Sequence, residues 1–266
     1  MTALLQISDP HFGTEQPPVV EALLRLARQI EPAVVVVSGD ITQRARRAQF
    51  DAAREFLARM SPPAMIAIPG NHDIPLFNVM ARLFYPYAGF ERAFGALLEP
   101  EWHNDDFLII GLNTTRPSRH KDGEVSSGQI QRVAERLRSA SAQQIRIVVT
   151  HQPVHVLRDS EVHNQLHGHA EAVRAWSAAG ADVILGGHIH LPYIAALHEQ
   201  YEQLQRRCWV VQAGTAVSSR VRRRHPNSVN LIKRDDAQGC LAQRWDYSAE
   251  RDEFHCVNVE RLNLDR

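Results

Sequence analysis

Lysine is nearly absent. The 266-residue chain holds only Lys121 and Lys233, so arginine carries almost all of its positive charge. Thirty basic residues balance thirty acidic ones, for a formal net charge of zero. That balance removes the global attraction a nucleic acid or an anionic membrane would use, and nucleic acid is not an expected partner. Cysteine is equally scarce. Cys208, Cys240 and Cys256 are odd in number and form no C-x-x-C pair, which argues against a disulfide framework and a thiolate zinc site. They read as small core hydrophobes. No apolar run approaches the roughly 20 residues of a membrane span. The first residues, MTALLQISDPHFG, lack a basic flank and are interrupted by Asp9, so neither a signal peptide nor an anchor is expected and the location expected is cytoplasmic. Repeats, low-complexity stretches and linkers are missing too, which favours one domain over residues 1–266.

What is present is an alternation. Short apolar runs at 3–7, 33–37, 64–68, 107–112, 145–150 and 182–185 read as buried strands. Helical spacing marks 21–30, 48–60, 129–137 and 170–179. This order predicts an α/β protein with substantial parallel pairing. After Tyr193 the helical spacing fades, and 208–211, 228–232, 241–247 and 254–259 read as strands of an antiparallel section or a second sheet. The aromatic segment 75–100 is less periodic and suggests short helical excursions near a site mouth.

Five of the strand-like runs end in loops rich in Asp, Asn and His. In α/β folds, ligands bind outside the C-terminal ends of the strands. The side chains gathered there are Asp9, His11, Asp40, Asn71, His72, His151, His188 and His190. Carboxylate, imidazole and amide oxygen suit first-row metals such as iron, manganese, zinc or cobalt. One ion uses three or four protein ligands, whereas seven or eight candidates are offered, which points to a pair of ions sharing a carboxylate. Taken singly, each residue has a plainer explanation: a strand-end Asp is usually a turn former or cap. Gly70-Asn71-His72-Asp73 is the most informative stretch, because a tight glycine turn with three polar side chains rarely serves packing.

The ordered set Asp9-Pro10-His11, Gly39-Asp40, Gly70-Asn71-His72-Asp73, Thr150-His151-Gln152-Pro153 and Gly187-His188-Ile189-His190 resembles the calcineurin-like metallophosphoesterases. The stretch from Gly39 to Arg44 looks most like their small bacterial branch, which includes class III cyclic-nucleotide phosphodiesterases. Gly214-Thr215-Ala216, Arg220 and Asn227-Ser228 look like that branch as well. The resemblance implies an αββα sandwich of two sheets, with residues 193–266 completing the second. It implies a first ion on Asp9, His11, Asp40 and His190. A second would sit on Asp40, Asn71, His151 and His188, with Asp40 bridging and iron or manganese favoured. It makes His72 a catalytic group facing the phosphate, with Asp73 orienting its ring. The implied activity is hydrolysis of a small phosphoester, foremost a 3',5'-cyclic nucleotide, by hydroxide generated between the ions. A phosphomonoesterase, a nucleotide-sugar lipid pyrophosphatase, a nuclease and a non-catalytic metal-binding scaffold remain alternatives. The chain departs from many relatives in placing Gln43 and Arg44 where an acidic residue often follows the Gly-Asp pair.

Other features carry less. His163, His167 and His169 read as a polar loop before a helix, or as substrate contacts or part of a lid, and Asn113 as a turn residue or a substrate contact. The run Arg220-Val221-Arg222-Arg223-Arg224 reads as a solvated loop or a phosphate clamp. Oligomeric state has no signature in the sequence.

Overall fold

The structure, a computed structural model, describes residues 2–202, 204–222, 225–235 and 239–265. The chain begins β1 (Ala3–Ile7), α1 (Pro17–Ile30), β2 (Val34–Ser38), α2 (Arg47–Met60) and β3 (Met65–Ile68). Next come α3 (Val79–Phe84), α4 (Ala88–Phe94), β4 (Glu101–His103), β5 (Phe107–Gly111), α5 (Ser127–Arg138), β6 (Ile145–Val149) and α6 (His169–Ala178). It continues through β7 (Val183–Gly186), β8 (Tyr193–Ala196), α7 (Leu197–Gln200) and β9 (Trp209–Gln212). The last elements are β10 (Ser228–Arg234), β11 (Cys240–Ser248) and β12 (Glu253–Leu262).

Two six-stranded sheets result, ordered β12-β11-β10-β1-β2-β3 and β4-β5-β6-β7-β9-β8. The strands β1, β2 and β3 run parallel, and so do β5, β6, β7 and β9. Between the sheets lies a core that includes Leu4, Val36 and Ile68 from one side and Ile109, Ile147 and Leu185 from the other. Leu23, Leu26, Phe50 and Phe56 of α1 and α2 belong to the core on the outer face of the first sheet. Ile130, Val133 and Trp176 of α5 and α6 do the same for the second. The layers are therefore α, β, β, α, as the resemblance implied. Both faces of each central strand are covered, which is why those strands read as unbroken apolar runs, such as the four valines at 34–37, and not as alternations.

Three details differ from the sequence reading. Residues 193–266 do not simply complete the second sheet: β8 and β9 join it, while β10, β11 and β12 extend the first. No local pattern distinguishes the two destinations, because β9 and β10 each combine a short apolar run with polar residues. Helix α1 starts four residues earlier than its periodicity suggested, since Pro17 and Pro18 occupy the first helical turn, where no N–H is needed. Cys208 and Cys240 are buried, but Cys256 is exposed on β12, the free edge of the first sheet, and is no core residue. The segment 75–100 does form helices, α3 and α4.

The consequence for function is alignment. The C-terminal ends of β1, β2, β3, β6 and β7 reach one edge of the sandwich, and their loops are stitched together there. Asp9 N donates to Gly39 O at 3.1 Å, His11 N to Asp40 O at 3.1 Å, and Gly187 N to His151 O at 2.9 Å. The amide of His188 reaches across the two sheets to the Asp9 carboxylate at 2.9 Å.

Candidate metal centre

The loops after β1, β2 and β7 leave their strands through unusual turns. Asp9, His11, Asp40, His188 and His190 all have left-handed backbone, with φ between 44° and 73°. Non-glycine residues adopt this conformation at a cost, and clustering of such residues marks functional sites. Glycine permits the closest approaches. Gly39 sits at φ 94°, and a Cβ there would stand 2.3 Å from the His151 ring. A Cβ on Gly70 would stand 2.0 Å from Asp40 N. Any side chain at either position would push apart the loops that carry the candidate ligands.

The side chains these turns deliver fall into overlapping groups. Asp9, His11 and His190 each present an atom within 4.8 Å of the others, and so do Asp40, His151 and His188. His11, Asp40 and His72 form a third such group. Asp40 stands between them, with Oδ1 3.3 Å from His151 Nε2 and Oδ2 3.7 Å from His11 Nε2. Asn71 Oδ1 lies 3.3 Å from His151 Nε2, and His190 Nε2 lies 3.3 Å from Asp9 Oδ1. All eight side chains expected at the site are thus brought together.

Backbone carbonyls set the ring orientations. His151 Nδ1 lies 2.9 Å from Ser38 O and His190 Nδ1 lies 2.7 Å from Arg220 O. A carbonyl only accepts, so these Nδ1 atoms donate, and each ring in its neutral form turns a bare Nε2 lone pair into the site. The His11 and His190 Nε2 atoms face each other at 3.0 Å. His11 Nδ1 and His188 Nδ1 are buried with no hydrogen-bond partner. Buried polar nitrogens are normally satisfied. The Nε2 atoms of His11, His151 and His190 converge on the Asp9 and Asp40 carboxylates, a nitrogen and oxygen donor set that fits a bound cation.

The electrostatics agree. Burial holds His11 and His188 down to about 3, so both are neutral donors at ordinary pH. Burial opposes ionisation of Asp9, but His190 beside it keeps its carboxyl at about 2. Burial likewise works against Asp40, which His151 and His72 hold well below the usual carboxylate range. His151 shows the reverse balance: burial disfavours its charge, yet Asp40 raises it to about 9.

Asp73 does not orient the His72 ring. Its Oδ2 accepts from the amides of Ile41 at 3.0 Å and Gly70 at 2.9 Å. Its Oδ1 accepts from Thr42 N at 2.7 Å and Thr42 Oγ1 at 2.9 Å. Asp73 is thus the clamp that folds the Asp40 and Asn71 loops onto each other, and the Gln43 carbonyl holds His72 Nδ1 instead, at 2.9 Å. Burial and Asp40 push Asp73 up to about 6 while the loop amides pull it down. Four donors on two oxygens leave no room for a proton, so it is ionised at neutral pH. Asp73→Asn turns an amide NH2 towards backbone N–H groups and is expected to cost about 2–3 kcal/mol. Urea unfolding of the metal-stripped protein measures this, and an unchanged midpoint and slope would show that the clamp carries no weight.

The centre opens into a cavity of about 320 Å³ bordered by Asp40, Asn71, His72, His188, His190, Lys121, His163, Asn164, Arg220 and Arg222. Lys121 and Asn164 were not anticipated as site residues, since they come from distant loops. Arg222 belongs to the basic run 220–224, which the sequence left as a solvated loop or a phosphate clamp. Of that run, Arg220 and Arg222 border the cavity, while Arg223 and Arg224 lie outside the described residues. Arg222 is paired with the buried Glu161. Asn113 makes a turn, its Oδ1 accepting from Thr115 N at 3.0 Å. His163 borders the cavity, but His167 pairs with Asp122 at 3.6 Å and His169 begins α6.

Known proteins resemble this chain in fold and in sequence. A purple acid phosphatase from yellow lupin (Lupinus luteus) seeds has the same fold, with a TM-score of 0.71 and 12% identity over 97% of this chain; the chain spans only 53% of that protein. A dimetal phosphatase from Danio rerio superposes with a TM-score of 0.65 and 13% identity, covering 99% of each chain. In sequence, the chain is 26% identical over 212 residues to a protein of Synechococcus sp. described as a probable cyclic nucleotide phosphodiesterase, which covers 72% of this chain and 74% of that one. Among the described residues, no helix is long and apolar enough to cross a membrane. The family model for calcineurin-like phosphoesterases matches residues 2–192, the stretch that carries every candidate ligand, and the chain belongs to that family of metal-dependent phosphoester hydrolases.

Proposed function

We propose that this protein is a phosphodiesterase that hydrolyses a small diester, a 3',5'-cyclic nucleotide being the first candidate, at a pair of metal ions. The observation that carries the reading is the shared Asp40: its two oxygens face separate histidine groups, Oδ1 towards His151 and Oδ2 towards His11. In this assignment Asp9, His11, Asp40 and His190 hold one ion. Asp40, Asn71, His151 and His188 hold the other. The nitrogen and oxygen donors suit iron or manganese, and also zinc or cobalt. When bound, the ions supply a nucleophilic oxygen from water at neutral pH and draw charge from the phosphoryl oxygens.

The protein's own groups do the rest. His72, tethered through Nδ1, turns Nε2 towards the cavity and holds or delivers a proton at the leaving oxygen. Asp73 keeps the Asp40 and Asn71 loops in register. A cavity of about 320 Å³ lies at the lower end of the range for small-molecule sites, which suits a nucleotide-sized substrate better than a macromolecule. Likeness to the Synechococcus protein supports the same substrate class.

The test is hydrolysis of bis(p-nitrophenyl) phosphate against p-nitrophenyl phosphate by metal-stripped protein refilled with Mn²⁺, followed by cyclic nucleotides. Manganese-dependent turnover that favours the diester is the expected result. Turnover of the monoester alone would replace the reading with a phosphomonoesterase.

Metal loading should depend steeply on pH. Without metal, Asp40 holds a proton on His151 up to about pH 9, and a ligand must lose its proton to bind. Because this folded-state value is raised, the ion pair with Asp40 stabilises the metal-free protein fully below the ordinary histidine range, near 6.5. That stabilisation is lost as pH rises through 9. Metal affinity should therefore increase about tenfold per pH unit between roughly 7 and 9 and then level off. Calorimetric titration in buffers of different ionisation enthalpy should show at least one proton released, and a pH-independent affinity would contradict the donor assignment.

A further inference from the structure

Arg220 and Arg222, the two arginines that border the cavity, differ in their partners. Arg222 is neutralised by Glu161, whereas no carboxylate among the described residues lies within ion-pair distance of Arg220. Its guanidinium is held by an amide instead, with Nη1 donating to Gln43 Oε1 at 2.9 Å. The same Nη1 lies 3.3 Å from His72 Nε2 and 3.5 Å from Nδ1, so an uncompensated cation borders the cavity beside the proposed proton donor.

The backbone around Arg220 is wired to the metal loops. Its carbonyl accepts from His190 Nδ1 at 2.7 Å, and its amide donates to Ser218 Oγ at 3.2 Å. Ser218 Oγ pairs with Thr215 Oγ1 at 2.6 Å. That hydroxyl in turn lies 2.6 Å from the Asp9 carbonyl, to which it donates. Asn227 Nδ2 secures the loop through Ser218 O at 2.8 Å. The start of the guanidinium's side chain is therefore placed by the same hydrogen bonds that place Asp9 and His190.

We propose that Arg220 binds an anionic phosphoryl oxygen of the substrate, and that Gln43 is the positioning residue that holds it there without cancelling its charge. The proposal rests on the phosphoesterase reading of this site. A guanidinium offers a planar pair of N–H groups that matches two oxygens on one phosphorus. A carboxylate at position 43 would occupy that fork as an ion pair, and the substrate would have to displace it. A glutamine fixes the same side chain with one neutral hydrogen bond, leaving the remaining N–H groups and the full charge for the ligand.

The experiment compares wild type with Arg220→Met, Arg220→Lys, Gln43→Ala and Gln43→Glu, each loaded with Mn²⁺ and assayed for metal content. Two readouts are taken: kcat and KM for bis(p-nitrophenyl) phosphate, and the Kd of inorganic phosphate by calorimetry. Arg220→Met is expected to keep its metal, weaken phosphate binding about tenfold or more and lower kcat/KM about a hundredfold, with Arg220→Lys recovering part of both. Gln43→Glu should raise KM and weaken phosphate more than Gln43→Ala does, although glutamate is closer in shape to glutamine. Phosphate affinity and kcat/KM within twofold of wild type in Arg220→Met would overturn the proposal. So would loss of metal in that variant, which would make Arg220 a support for His190, and so would Gln43→Glu binding phosphate as well as wild type. If the wild type cleaves neither ester, the phosphodiesterase reading fails, and the phosphate affinities alone decide the role of Arg220.

Discussion

Asp40→Ala is expected to bring hydrolysis to background and to reduce bound metal from two ions per chain to one or none. Asp40 is buried, and its oxygens face different groups: Oδ1 is 3.3 Å from His151 Nε2, and Oδ2 is 3.7 Å from His11 Nε2. It is the residue through which the Asp9 side of the centre meets the His151 side. Removing it would deprive the two proposed ions of their shared anion, and four neutral imidazoles would not replace that charge. Asp40 Oδ1 also accepts the His72 amide at 2.8 Å, so alanine disturbs the 70–73 turn as well. Asp40→Asn separates the two effects, because it keeps the shape and one acceptor while deleting the charge. It should stay folded, yet lose metal and activity almost as completely. Elemental analysis and steady-state kinetics on both variants provide the check. Two metals with near-normal turnover in Asp40→Asn would remove Asp40 from the bridging position.

His72→Ala should behave differently, lowering kcat by roughly 10²–10⁴ while leaving the metal content intact. The structure offers a competing possibility, since His72 belongs to a donor group with His11 and Asp40. Distance and exposure favour a ring that faces substrate. His72 Nε2 lies 4.0 Å from Asp40 Oδ2, with 19% of the side chain exposed, whereas His151 lies 3.3 Å from Asp40 and is fully buried. The Gln43 carbonyl fixes its Nδ1, and Arg220 stands next to its Nε2. A group so placed contributes when the leaving oxygen takes its proton. A leaving group that needs no proton, such as p-nitrophenolate, should therefore suffer less from His72→Ala than an alkoxide does. Loss of one metal per chain would instead make His72 a ligand.

Together these variants separate three layers that lie within a few residues of one another in sequence. Asp40 and Asn71 are assigned to metal, His72 to the proton, and Asp73 to the loops. The last assignment departs from what the resemblance implied. Gly70-Asn71-His72-Asp73 looks the same whether Asp73 faces the ring of His72 or the amides of Gly70, Ile41 and Thr42. The choice depends on how the turn after β3 meets the turn after β2, and adjacency in sequence says nothing about that.

The chain's sequence by itself determined which residues stand at the strand ends. Apolar runs buried on both faces had to be central strands, and in parallel sheets the strand ends share an edge, so Asp9, Asp40 and Asn71 had to gather at one sheet edge and His151 and His188 at another; that the two edges coincide was implied by the family resemblance. Their types, oxygen and imidazole nitrogen without thiolate, already limited the chemistry to hard or borderline metals. Tertiary structure alone decided the rest. It divided residues 193–266 between the two sheets, turned the Asp73 carboxylate onto backbone amides, exposed Cys256 at a sheet edge, and set Arg220 beside His72 with Gln43 as its tether. Each of these is a pairing between segments far apart in the chain or a choice of direction for one side chain. Local periodicity records how a segment buries its own apolar face, but not which distant segment will meet its polar one.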